Sequence, residues 1–350
     1  MPAQPQRRRP VARAAVAATA TLAALTGLVY APDAMGTGTR TGTTVVAGPS
    51  VKADDGARVV SETWLDDRTV DLSIQSPAAR RAVPVRLLLP EGWSANANRT
   101  WPVLYMLHGA SDDYTSWTRE TDIEEFMADK DVIVAMPDAG RTGLPAKWQD
   151  GTDYLTFQTD ELMQLLQRGY RAGADRAVAG ISTGGYGAMA LAIKRPGTFE
   201  AAASYSGVLN TQFPGVPTLV TAILGREGLL GGALWGWPFL SWSTWEANNP
   251  YTQAEKLRGT DLYVSTGSGI AGGSWDLVGG TLESVILPSF QSFVGRLSSL
   301  GIPAEVHSYT GGSHTWPYWQ DEFKSSWPMF AQALGGALTL TLTLTPGGAA

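Results

Sequence analysis

The sequence has no cysteine in its 350 residues. Thiol nucleophiles, thiolate metal sites and disulfides are thereby excluded together. Export is not excluded, because a large domain with a good core holds together without disulfides. Charge is also scarce: 17% of residues are charged, with a net charge of -6, against a usual quarter. An acidic balance argues against a phosphate-neutralising surface, so nucleic acid is not an expected partner. Histidine is rarer still. Only His108, His307 and His314 occur, which narrows any search for a catalytic base. There is no internal repeat and no block of like charge. What the chain does have is a 44% hydrophobic fraction, 40 Gly and 13 Trp, enough for a buried core with many turns and aromatic contacts.

The first 34 residues have the order of a secretory signal. Arg7, Arg8, Arg9 and Arg13 form a basic flank, and Ala14–Ala31 is apolar and uncharged. Its Ala- and Thr-rich composition favours a cleaved signal over a membrane anchor, with Ala31 and Ala34 as alternative cleavage points. Residues 35–57 are rich in Gly, Thr and Ala without periodicity and are expected to be a flexible tether. Residues 58–335 are expected to form the catalytic domain, and 336–350 a low-complexity tail.

Within the domain, Arg58–Leu65, Thr69–Gln75 and Val83–Leu89 read as opening strands. Apolar strands then alternate with helices. The strands are Val103–Leu107, Val132–Met136, Arg176–Gly180, Ala201–Tyr205, Leu262–Thr266 and Ala304–Tyr309. The helices lie near Asp122–Ala128 and at Phe157–Tyr170, Tyr186–Lys194, Leu282–Leu300 and Asp321–Leu334. That alternation implies βαβ units and a mostly parallel sheet with helices on both faces. Residues 209–258 break it. They carry Trp235, Trp237, Trp242 and Trp245 and are expected to form a cap-like insertion over the carboxyl ends of the strands. A surface subdomain with its own small core is the other reading of this segment.

The chemistry centres on Gly180-Ile181-Ser182-Thr183-Gly184. This is G-x-S-x-G directly after a predicted strand and before a predicted helix, the context of the nucleophile elbow in an α/β-hydrolase fold. The turn is so tight that its neighbours must be small. A serine hydroxyl needs a base, and in this fold the order is serine, acid, histidine. His108 precedes the serine, and His307 lies inside a strand pattern. His314, in a Gly-Gly-Ser-His loop after the last strand, is the expected base. Asp276 and Glu283 both lie where the acid should, and spacing does not separate them. The oxyanion donors expected are the N–H groups of Thr183, after the nucleophile, and of Ala110, in the loop Leu107-His108-Gly109-Ala110. No metal or organic cofactor is required.

These residues resemble the esterase D family of α/β-hydrolases, and within it the antigen 85 mycolyltransferases and their exported esterase relatives. His314-Thr315-Trp316-Pro317-Tyr318-Trp319 is similar to the family's histidine motif, whose histidine is the base. Gly280-Thr281-Leu282-Glu283-Ser284 resembles the segment that supplies its catalytic glutamate, which favours Glu283 over Asp276. Asp112-Asp113-Tyr114 and Trp117 also match, and the likeness spans roughly residues 60 to 335. His108-Gly109 departs from it: the mycolyltransferases carry Asp-Gly there, and that aspartate contributes to a trehalose site. The resemblance therefore implies the triad without the acceptor site. His108, Trp148 and Trp316 are expected to line the substrate pocket.

The expected function is a secreted or cell-envelope-associated serine esterase working through an acyl-enzyme on a small-molecule or lipid ester. An acyltransferase that moves a fatty or mycolic chain to a sugar or glycerol acceptor is the first alternative. A non-catalytic cell-wall or host-protein binding module is the second.

Overall fold

The computed structural model describes residues 44–269 and 277–335. The expected signal, residues 35–43 of the tether, the tail and Asp276 lie outside them. The described residues form a sheet of ten strands: β1 (Thr44–Val46), β2 (Arg58–Trp64), β3 (Thr69–Ser76), β4 (Arg81–Leu88), β5 (Trp101–Leu107), β6 (Ile133–Pro137), β7 (Ala172–Ile181), β8 (Ala201–Tyr205), β9 (Asp261–Gly267) and β10 (Glu305–Tyr309). Their order is β1-β2-β3-β4-β6-β5-β7-β8-β9-β10. The first four strands and the β4–β6 pair are antiparallel, and every pair from β6 to β10 is parallel. The end of the expected tether is drawn into the fold. Its Thr44–Val46 pairs with β2, and Ala53 and Ala57 are buried in the core.

The central strands are apolar on both faces because both are covered. In β5, Val103, Tyr105 and Leu107 join one core while Leu104 and Met106 join the other. The first core is closed by α1 (Leu162–Gly169), α2 (Thr183–Lys194) and α5 (Leu277–Ser299). The second is closed by α6 (Trp316–Ala333), through Phe323 and Phe330. Three of these four helix starts come earlier than the pattern suggests, that of α5 at Leu277 among them. Thr183 opens α2 directly behind the serine. Pro317 sits in the first turn of α6, where a missing N–H has no intrahelical partner to lose.

Sheet order decides where a site can form. β6 and β7 flank β5 on opposite sides, so the connections leaving β5 and β6 diverge there. In such sheets the crevice beyond the carboxyl ends at this point is the ligand position. The loops carrying His108, Ser182, Ser206 and Ser268 all leave the sheet at that end.

The insertion contains α3 (Val216–Arg226) and α4 (Trp242–Ala247). Val216, Val220, Leu224, Leu234, Trp235 and Trp245 form a separate small core against Tyr186 and Ala190 of α2. Trp235 and Trp245 meet edge to face at 5.1 Å, while Trp237 and Trp242 are about half exposed. Trp245→Ala should destabilise the fold by about 3–5 kcal/mol. Trp242→Ala should stay within about 0.5 kcal/mol of the parent. Thermal unfolding of the two variants measures this, and equal shifts would mean the insertion has no core of its own.

Candidate active site

Ser182 occupies a position that few non-glycine residues adopt, with φ 52° and ψ -118°. Such a conformation costs on the order of 1–3 kcal/mol and persists only where the surroundings enforce it. Here they do. A Cβ on Gly180 would come within 2.2 Å of the Gly184 carbonyl oxygen, and one on Gly184 within 2.3 Å of the His108 carbonyl oxygen. The turn is thus closed by backbone against backbone. It leaves Ser182 partly exposed between buried Ile181 and Thr183.

His314 is delivered by a second tight turn. Gly311 and Gly312 have φ of 87° and 81°, and the Tyr309 ring lies so close to Gly312 that a Cβ there would meet it at 2.3 Å. His314 Nε2 comes within 2.9 Å of the Ser182 hydroxyl oxygen. On the far side of the ring, Nδ1 faces Glu283 Oε1 at 3.4 Å, longer than a well-formed hydrogen bond. The expected hydrogen bond from His314 to Glu283 is therefore not formed in this structure: the two groups lie side by side, and Nδ1 has no hydrogen-bond partner among the described residues. The reason is local, since the same carboxylate oxygen accepts the Ser206 hydroxyl.

Glu283 projects from α5 and is fully buried. Its other oxygen accepts from Thr266 Oγ1 at 2.7 Å. The Ser206 hydroxyl in turn accepts from Trp319 Nε1 at 3.2 Å, and the Trp319 ring stands edge-on to the His314 ring at 4.9 Å. Ser206, like Ser182, is held at positive φ, 50°. Burial and the nearby Glu283 carboxylate push the Tyr309 phenol well above its usual range, so it stays neutral. Ser206 and Thr266 had no motif to reveal them. The signal was positional only, two hydroxyl residues at the ends of adjacent predicted strands.

The remaining expected residues divide. Ala110 N–H and Thr183 N–H donate to no other group among the described residues. Gly109 lies against the serine, where a Cβ would be 3.3 Å from Ser182 Cβ. His108 does not line an opening. It is 2% exposed, Nδ1 bonds the Gly109 carbonyl at 2.8 Å and Nε2 accepts from Ala139 N–H at 3.1 Å. With both ring nitrogens committed to backbone, it fixes the Gly109–Ala110 peptide rather than meeting a ligand. Trp316 packs edge-on to Trp117 and Trp319 next to His314. Trp148 lies elsewhere, in a cleft along α2 that Ser182 does not line. His307 pairs with Glu322 at 2.8 Å on the sheet edge.

The loop after Ala110 is also tied to the insertion. The Ser111 hydroxyl donates to Glu227 at 2.5 Å, and Arg141 pairs with the same carboxylate at 2.6 Å. Burial would raise Glu227, but these two partners outweigh it and hold the carboxyl below its ordinary value. Among the described residues no group of His, Asp or Glu could hold a metal ion.

Comparison with known proteins places the chain in a family. Residues 76–330 match the family model named Esterase. The chain belongs to the Esterase family. This esterase-family chain is 31% identical over 277 residues to Esterase Rv1288 of Mycobacterium tuberculosis, and the match covers 73% of the chain. It spans only 58% of the length of that relative. It is 29% identical over 283 residues to the diacylglycerol acyltransferase/mycolyltransferase Ag85B of Mycobacterium intracellulare, covering 75% of this chain and 83% of the other. Among solved structures, Mycobacterium tuberculosis MPT51 superposes with a TM-score of 0.65 at 21% identity, over 77% of this chain and all of its own. A ferulic acid esterase gives 0.58 at 20% identity, over 76% and 98%. These two matches show the α/β-hydrolase fold.

In this esterase-family chain, Gly184→Ala should cost more than an ordinary helix substitution, because its clash is with backbone that cannot turn aside. We expect a lower unfolding midpoint. Gly295→Ala, with open space around it, should leave the midpoint unchanged. An unshifted midpoint in Gly184→Ala would mean the turn is not held as described.

Proposed function

We propose that this protein is an exported serine esterase in which Ser182, His314 and Glu283 act together on a carboxylic ester. The observation that carries this reading is the 2.9 Å contact between the Ser182 hydroxyl and His314 Nε2. It joins residues 132 apart in sequence, one on a strained turn and one after a glycine turn. His314 takes the Ser182 proton as the oxygen attacks the ester carbonyl. The Ala110 and Thr183 N–H groups receive the charge that develops on the carbonyl oxygen. His314 then gives the proton to the departing alcohol, leaving an acyl group on Ser182. Water, activated by the same imidazole, releases the acid. Glu283 holds the ring in its tautomer and offsets its charge while it carries the proton.

Hydrolysis is favoured over transfer to a sugar. The curated relative at 31% identity is named an esterase, and the position where an acceptor aspartate would stand is His108, buried and spent on backbone. Transfer to an alcohol stays as a second reading, supported by the relatives named diacylglycerol acyltransferase/mycolyltransferase. A bare binding module would have no use for an imidazole placed against a strained serine. The basic and apolar order of residues 1–34 supports export to the cell envelope or beyond. No helix among the described residues is long and apolar enough to cross a membrane.

With p-nitrophenyl acetate, Ser182→Ala should lower kcat by about a millionfold, and Glu283→Gln by less. Product analysis with glycerol or trehalose added should give free acid from a lipid ester. A new ester as the main product would shift the reading to acyl transfer, and full activity in Ser182→Ala would end it. His108→Ala frees the Gly109–Ala110 peptide and should lower kcat roughly a hundredfold with KM little changed. Loss confined to KM would argue against its positioning role.

A further inference from the structure

The chain has six lysines, and three of them meet in one place. Lys147, Lys194 and Lys256 line a cleft of about 580 Å³ between α2 and the insertion. None of the three forms an ion pair among the described residues, whereas Lys130 and Lys324 both do. The one carboxylate in the wall, Asp153, is occupied by the Thr156 N–H and hydroxyl at 2.8 and 2.9 Å. In a chain of net charge -6, this is a local excess of positive charge, three ammonium groups against one carboxylate.

Two further observations point the same way. The wall includes Trp148 and Trp235, whose indole N–H groups are buried without a protein partner. Trp235 as a whole is 1% exposed. A buried donor left unpaired costs about 1–3 kcal/mol, so it is a standing demand for an acceptor. Gln149, Asn248 and Gln253 add side-chain amides, which suit the hydroxyls of a polar body. The cleft is distinct from the Ser182 centre. It follows α2 from Tyr186 to Lys194, away from the serine turn, and neither Ser182 nor His314 lines it.

We propose that this cleft is a second binding site, which takes a phosphate group through Lys147, Lys194 and Lys256. Lysine ammonium groups bind phosphate as compact point charges, and three of them together match a doubly charged phosphate better than a singly charged carboxylate. No arginine lines the cleft. The phosphate could belong to a soluble phosphorylated polyol or to a phospholipid headgroup. The headgroup source is physically open because the insertion presents an uncharged stretch, residues 228–245. In it Leu230, Phe239 and Leu240 are 78%, 87% and 83% exposed, a concentration of apolar surface of the kind that meets lipid.

The test uses the whole chain and its lysine-to-glutamine triple variant (K147Q, K194Q, K256Q). Tryptophan fluorescence is titrated with sn-glycerol 3-phosphate and with glycerol. Co-sedimentation is measured with phosphatidylglycerol vesicles and with phosphatidylcholine vesicles. p-Nitrophenyl acetate hydrolysis should be equal in both proteins, which shows that the variant is folded. Binding of glycerol 3-phosphate but not glycerol, weakened tenfold or more in the triple variant, supports the proposal with a soluble ligand. Binding only to phosphatidylglycerol vesicles, lost in the triple variant and in Phe239→Ser with Leu240→Ser, supports it with a headgroup ligand. No binding to either phosphate source, or binding that the triple variant retains, overturns it.

Discussion

The site depends on a backbone packed too closely to relax. Ser182 is held at φ 52° because Gly180 and Gly184 touch across the turn, and Gly184 also touches the carbonyl oxygen of His108. Two loops from neighbouring parallel strands, β5 and β7, are thereby locked to each other. One carries Ser182 and the other the Gly109–Ala110 peptide. The strain is small beside the buried area of the sheet, and the sheet supplies it. β5 and β7 run parallel in fixed register, pairing Leu107 with Gly180 just before both turns.

From that lock the rest of the site is built outward. His314 arrives on a glycine turn backed by Tyr309, and its ring is gripped between the serine and the edge of Trp319. Glu283 is buried among hydroxyls from the ends of β8 and β9. A buried carboxylate is tolerable only with such partners, so Ser206 and Thr266 hold Glu283 in place beside the His314 ring. The insertion is joined to the same machinery through Glu227, which binds both Ser111 and Arg141. Its core rests on the helix that begins at the serine. A ligand in the lysine cleft would therefore lie along that same helix, between Tyr186 and Lys194.

Much of this was legible in the sequence because the signals were local. Alternating apolar runs gave nine of the ten described strands to within a few residues, while Thr44–Val46 fell in the expected tether. The G-x-S-x-G turn identified Ser182, and the scarcity of histidine left His314 with little competition. The acid was not legible from spacing alone, since Asp276 and Glu283 stand seven residues apart and only resemblance separated them. His108 was misplaced as a pocket residue because a sequence does not say which way a ring turns. In the fold its two nitrogens are drawn inward by unpaired backbone groups. The lysine cleft was invisible for a related reason, since Lys147, Lys194 and Lys256 are scattered over more than a hundred residues.

The claim at the centre is that one hydroxyl, Ser182, is made nucleophilic by one imidazole, His314. Intact-mass analysis after brief exposure to a fluorophosphonate reads this directly, because the reagent reports nucleophilicity independently of any natural substrate. One adduct per chain, mapped to Ser182 and formed far more slowly in His314→Gln, is the predicted result. Labelling that is absent, that maps to another residue, or that proceeds equally fast without the histidine would contradict the account.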